Sequence, residues 1–185
     1  MPLFGPPNVD KLIAKGDFPG LINALDYQNV WRVRRDAAAA LGEMGDADAV
    51  EPLIAALGDD SASVRISVIA ALGRIGDAAA VEPLMAALRS QAVDIRKAAA
   101  DSLGQIGDPR AVEPLIVCLK DASWSVRRAA ADALGQIRDS RAAEPLKALF
   151  EDSDANVRRA VVDALAALGW QPNGARSVGL ADEPR

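Results

Sequence analysis

The chain has 185 residues, half of them apolar and only 4% aromatic, with a formal net charge of −5, one cysteine and no histidine. That length suits one ordinary domain with a sizeable core, and a core of Ala, Leu, Val and Ile suits closely packed helices. The acidic balance disfavours non-specific attachment to nucleic acid or anionic membrane. The lack of histidine removes the commonest general base and the commonest metal ligand, and a lone cysteine excludes an internal disulfide. Cys118 lies among apolar residues and reads as a small core residue.

At the N-terminus, Met1-Pro2-Leu3-Phe4-Gly5-Pro6-Pro7 has neither the basic region nor the apolar run of a secretory signal. No apolar run approaches the roughly 20 residues of a membrane span, so the expectation is a soluble, cytoplasmic protein. Asn8 to Lys15 reads as a short helix capped by Asn8, with Leu12 and Ile13 placed to cover the open end of the first repeat unit. Residues 1–17 are read as an N-terminal capping segment.

From residue 18 onward an internal repeat dominates. Pro52, Pro83, Pro114 and Pro145 are 31 residues apart, and so are Arg65, Arg96, Arg127 and Arg158, and Leu72, Leu103, Leu134 and Leu165. The register holds across 47–77, 78–108, 109–139 and 140–170. A divergent unit precedes them. Arg34 and Leu41 keep the step, but Leu25 to Arg34 is 9 residues where Leu57 to Arg65 is 8, which implies a one-residue insertion in its loop.

Each unit predicts two helices. The first starts at an Asp N-cap, Asp46, Asp77 or Asp108, and a bend is expected at the Glu-Pro step about one turn in. The second starts near Ser61, Ser123 or Asp154 as caps, with Ala92 a poor one in the same column. It carries an apolar stripe, Val64, Val68, Ala71, Leu72 and Ile75 in the second unit, and stops at Gly76, Gly107 or Gly169. Arg138 interrupts that glycine column. Neither helix buries its face alone, so the pairs must stack into an all-α, right-handed solenoid of antiparallel helix pairs over 18–170. Trp170 is placed to cap its last core layer, and residues 171–185 are expected to be disordered.

Asp-Pro-Arg-Ala-Val-Glu-Pro-Leu at 108–115 and Val-Arg-Arg-Ala-Ala-Ala-Asp-Ala-Leu-Gly-Gln-Ile at 126–137 resemble the HEAT-like repeats first noted in phycobilisome lyases. They also resemble artificial consensus-repeat binders built on the same motif. The resemblance implies that the second helices line a concave face. It also implies a hydrogen-bonded Asp/Arg ladder along the inter-helix turns, here Asp59, Arg65, Arg96, Asp121, Arg127, Asp152 and Arg158, with Ser90 replacing one Asp. Anion binding is the other reading of the Arg column; its even spacing favours the ladder. Deoxyhypusine hydroxylases are HEAT-type enzymes with His-Glu metal motifs, and a chain without histidine cannot supply those ligands.

Stepping 31 along the second helices gives the surface columns. The first is Trp31, Ala62, Val93, Trp124 and Ala155; the next is Arg35, Ile66, Lys97, Arg128 and Arg159; one turn on come Ala39, Ala70, Asp101, Asp132 and Asp163. Two of the three tryptophans share a column that borders a basic row, a hot-spot pairing at interfaces. Each Trp either contacts a partner or packs over its own inter-helix loop. The Asp row sits at i, i+4 from the basic row, so the face is either self-compensated or a charged stripe that selects a partner. The candidate partner-binding residues are Trp31, Arg35, Ile66, Lys97, Trp124, Arg128, Asp132 and Arg159.

No catalytic, cofactor-binding or metal-binding set is recognised. The expectation is a non-enzymatic scaffold that binds another protein on the concave face. The resemblance also allows a phycobiliprotein chromophore lyase or lyase-like chaperone. A third reading is a nucleic-acid binder like the HEAT-type DNA glycosylases, which Trp31, Trp124, Arg128 and Asp132 superficially suit and the acidic charge disfavours.

Overall fold

The structure, a computed structural model, describes residues 6–170; residues 1–5 of the capping segment and the tail 171–185 lie outside the described residues. Helix α1 (Val9–Lys15) precedes five pairs. These are α2 (Phe18–Leu25) with α3 (Trp31–Met44), α4 (Val50–Ala55) with α5 (Ala62–Ile75), and α6 (Val81–Ala87) with α7 (Val93–Ile106). The last two are α8 (Val112–Cys118) with α9 (Trp124–Ile137), and α10 (Ala143–Lys147) with α11 (Ala155–Ala167). The pairs are units one to five, and no strand occurs among the described residues.

The first helices of units two to five are each entered through a three-residue 3-10 turn. Asp46, Asp77, Asp108 and Asp139 cap these turns, accepting the N–H two residues on at 2.8–3.0 Å. Winding changes from 3-10 to α two residues before each proline, rather than at the Glu-Pro step where a bend is expected.

The second helices start differently from expectation. Asp154 caps α11 with its side chain, but Ser61 and Ser123 make no side-chain cap bond. Their backbone N–H groups instead donate to Asp59 and Asp121, two residues upstream, at 2.8 Å. The helices end on left-handed residues: Gly45, Gly76 and Gly107, and Arg138 at φ 58°. Holding arginine there costs about 1 kcal/mol relative to glycine.

The core is a stack of leucines. Leu41, Leu72, Leu103, Leu134 and Leu165 of the second helices are fully buried against Leu53, Leu84, Leu115 and Leu146 of the first helices. In unit one this last place belongs to Leu21, 32 residues before Leu53, as the inserted loop residue requires. Successive second helices touch along their length, whereas first helices meet one another sparingly. A stack closer on one side bends towards it, which makes the second-helix face concave.

A glycine seam permits this approach. A Cβ at Gly42, Gly104 or Gly135 would lie 2.6–2.8 Å from the Cα of Ala71, Ala133 or Ala164 on the next second helix, and one at Gly73 would lie 2.7 Å from the Ser102 Cβ. Ser102 is buried there, its hydroxyl donating to the Ile69 carbonyl at 2.9 Å. The same column in unit five, the last described unit, holds Ala166, which is exposed.

Asn8 caps α1 as expected. Val9 and Leu12, however, cover the first unit, and Ile13 is exposed. Seven residues make barely two turns, so the buried stripe is narrow and Val9 takes the place assigned to Ile13. At the other end Trp170 packs on Phe150, ring centroids 5.3 Å apart, with the Lys147 ammonium 5.9 Å from its ring. Cys118 is buried, and that burial pushes its thiol pKa up to about 11, so the thiol form prevails at neutral pH.

Candidate functional site

Trp31, Ala62, Val93, Trp124 and Ala155 are each the first residue of a second helix. A side chain at that position leans out from the turn edge, and the large ones stay exposed: Trp31 at 37%, Val93 at 39% and Trp124 at 44%. The Trp31 ring is flanked by the guanidinium groups of Arg32 and Arg35, 5.3 and 5.2 Å from its centroid, a cation–π arrangement. Arg35 also donates to Asp36 at 2.8 Å. The tryptophans therefore present much of their surface to solvent, and Val93 extends their column.

One turn along, the charged rows pair as i, i+4 spacing requires. Lys97 meets Asp101 at 2.7 Å, Arg128 meets Asp132 at 3.4 Å and Arg159 approaches Asp163 at 3.9 Å. Such exposed pairs stabilise by a few tenths of a kcal/mol each. Asp132 differs from its neighbours. Burial pushes its pKa above the usual carboxylate value, Asp101 and Asp163 on either side add to this, and Arg128 opposes it.

Three shallow hollows run along this face. One of about 510 Å³ is lined by Ile66, Arg74, Asp94, Lys97, Asp101 and Gln105 among others. A second, about 810 Å³, includes Asp101, Gln105, Asp132, Gln136, Asp163 and Arg138. A third, about 320 Å³, includes Arg128, Asp132, Asn156, Arg159 and Asp163. Shared residues join them into one trough. Ile66, Lys97, Arg128, Asp132 and Arg159 thus line it, whereas Trp31, Arg35 and Trp124 line none of the three hollows. Gln105 and Gln136 were not among the expected contacts; their spacing of 31 within the next column was the available signal.

The ladder runs along the loop edge and is built between units. Arg34 of unit one grips Asp59 of unit two, Arg96 grips Asp121, and Arg127 grips Asp152, each through Nε and Nη2 on the two carboxylate oxygens. For Arg96 and Arg127 these bonds are 2.8–3.0 Å. Nη1 of each arginine turns back to carbonyls of its own loop, as Arg96 does to Ser90 at 2.8 Å and Gln91 at 3.0 Å. The bidentate guanidinium holds Asp59, Asp121 and Asp152 below the usual carboxylate pKa. Arg34, absent from the expected ladder, is its first rung.

Two of the expected ladder residues make only half a rung. Arg65 faces Ser90 and Arg158 lies in the last described unit, and each bonds only the carbonyls of its own loop among the described residues. On the other edge, Arg110 and Arg141 each pair with the capping aspartate two residues before and reach a carbonyl of the preceding unit, Ala78 at 3.0 Å and Pro109 at 3.1 Å. That second set of links was not anticipated, although the 31-residue step between the two arginines carries it.

A family model of HEAT repeats matches residues 18–104 and 81–166, most of the chain. This chain is a HEAT-repeat protein. No curated protein matches its sequence. Among solved structures it is similar to the complex of CpcE and CpcF of phycocyanin lyase from Nostoc, with TM-score 0.68 and 27% identity over 81% of this chain and 98% of that one. It is also similar to an engineered protein, at TM-score 0.69 and 24% identity over 87% and 83% of the two chains. A third is a designed armadillo repeat protein in complex with the peptide (KR)4, at TM-score 0.67 and 22% identity over 86% and 85%. The last two likenesses show the fold. No helix among the described residues is long and apolar enough to cross a membrane, and no group of three or more carboxylates and thiols there could hold a metal ion.

Proposed function

We propose that this HEAT-repeat protein is a non-enzymatic scaffold whose concave second-helix face holds a segment of a partner protein. The observation that carries this reading is the pairing of an exposed apolar column, Trp31, Val93 and Trp124, with a continuous trough of mixed charge beside it. Exposed tryptophan beside arginine is the composition of an interface hot spot. The (KR)4 complex of the designed armadillo protein supports an extended segment as the kind of ligand.

The test is affinity capture from source lysate with wild type and a Trp31→Ala/Trp124→Ala/Arg128→Ala variant of unchanged helical content. A partner held by wild type and lost by the variant supports the reading. A partner held equally by both refutes it.

A second reading, a chromophore lyase or lyase-like chaperone, rests on the likeness to the phycocyanin lyase pair. Co-expression with a phycobiliprotein and bilin, read by absorbance, tests it; no gain of attached chromophore rejects it. The nucleic-acid reading is weakened by placement. Trp31 and Trp124 stand on α3 and α9, three helix spacings of roughly 8–10 Å apart, so the four residues it relied on do not share one pocket.

A further inference from the structure

The ladder is interrupted at one internal junction, between units two and three. Arg65 keeps the half of the rung that orients it: Nη1 donates to the carbonyls of Asp59 at 2.6 Å and Asp60 at 3.2 Å, the same pattern that fixes Arg96 and Arg127. Its Nε–Nη2 edge is therefore held as theirs are, towards the loop of the next unit. There the others meet an aspartate and Arg65 meets Ser90. The Ser90 hydroxyl keeps one of the aspartate's two tasks, accepting the Ala92 N–H at 3.2 Å. It has no carboxylate for the second, and Arg65 forms no ion pair among the described residues, where Arg96 and Arg127 each form one and Arg34 forms two, with Asp59 and Asp60.

A hollow of about 380 Å³ lies at this junction beside Arg65 and Ser90, with Leu57, Pro83, Ala86 and Ala87 as its accessible apolar walls. The junction of units one and two has a hollow of about 400 Å³, but there Asp59 already occupies the donor edge of Arg34. Arg158 lacks its aspartate too, but it is exposed at the end of the stack, whereas Arg65 is half-buried between two units. The two features together, a pre-oriented bidentate donor edge and apolar walls, specify a carboxylate carried on an apolar neighbourhood.

We propose that the Arg65 cleft is a second binding site, which takes an aspartate or glutamate side chain, flanked by apolar residues, from a partner protein segment. The partner carboxylate completes the rung that Ser90 leaves open, and its apolar neighbours rest on Leu57, Pro83 and Ala86. The site lies on the loop edge and uses none of the trough residues, so it stands or falls independently of the concave face.

The test uses the full chain and NMR of the arginine Nε–Hε and methyl signals, titrated with Ac-Leu-Asp-Leu-NH2, with its Asn counterpart and with succinate. The aspartate peptide should shift the Arg65 Nε–Hε and the Leu57 and Ala86 methyls with millimolar affinity, about tenfold or more tighter than the Asn peptide. Ser90→Asp should complete the rung from within the chain, abolish those shifts and raise Tm by roughly 2–4 °C. The Trp31→Ala/Trp124→Ala/Arg128→Ala variant should bind as wild type does. Equal binding of the Asn peptide, no shift up to about 10 mM, or peptide binding that survives Ser90→Asp would overturn the proposal. Succinate binding as tightly as the peptide would overturn the assignment to a protein segment.

Discussion

Two sets of columns share the step of 31 residues and behave in opposite ways. Along the seam between second helices, Gly42, Gly73, Gly104 and Gly135 recur unchanged, and a Cβ at any of them would collide with the next helix. Along the trough, the column that begins with Trp31 runs through alanine, valine, tryptophan and alanine, all free to differ because nothing in the stack packs against their outer surface. Repetition within the chain therefore marks what every junction needs, and variation marks what the surface offers to something else. The ladder lies between these extremes. Most of its rungs repeat, and at the internal junction where one does not, Arg65 faces Ser90 beside a hollow without a carboxylate partner.

The largest expected effect comes from breaking the seam. Gly104→Val places bulk where even a Cβ would lie 2.8 Å from the Ala133 Cα, and overpacking of this kind costs about 3 kcal/mol. In a chain of this length that lowers Tm by roughly 6–12 °C, measurable by circular dichroism. The next effect converts an intact rung into a copy of the interrupted one. Asp121→Ala leaves Arg96 half-buried without its carboxylate and removes the acceptor of the Ser123 N–H, a loss of about 2 kcal/mol.

Acid sharpens the same contrast. Asp59, Asp121 and Asp152 have folded pKa values below their unfolded value of about 3.9. Their contribution is complete above that pH and is lost as pH falls through the lower folded values. Tm should therefore decline below about pH 4, and less steeply in Asp121→Ala, which has one rung fewer to protonate. The smallest change is a gain. Arg138→Gly relieves the left-handed arginine and should stabilise by about 1 kcal/mol.

Much of the fold was legible because a solenoid repeats its packing at a fixed step. Leucine columns, cap aspartates and the glycine stops all recur, and even the inserted loop residue could be placed from Leu25 and Arg34. The glycine seam is equally repetitive but not legible, since glycine inside a helix looks like a weak point until a neighbouring backbone is known to approach it. The aspartates of the ladder stand out in sequence, but Arg34 as its first rung and the direction of the contacts do not. A contact from Arg96 to Asp121, 25 residues on, depends on how one unit sits over the next. Ser61 and Ser123 look like side-chain caps in sequence, but only their backbone N–H groups are engaged, by Asp59 and Asp121. On the candidate face, periodicity placed the charged and aromatic columns, whereas Gln105 and Gln136, polar but uncharged, stand out only once the trough brings them together.

The most direct test of this division between repeated and varied columns is the melting temperature of the Trp31→Ala/Trp124→Ala/Arg128→Ala variant beside that of Gly104→Val. Exposed positions away from packing change stability by about 0.5 kcal/mol or less each, so the triple variant should melt within roughly 3–6 °C of wild type at the extreme and lose its captured partner. Gly104→Val should melt well below both. A triple variant that unfolds as readily as Gly104→Val would contradict the account, because the trough's edge would then be part of what holds the stack together.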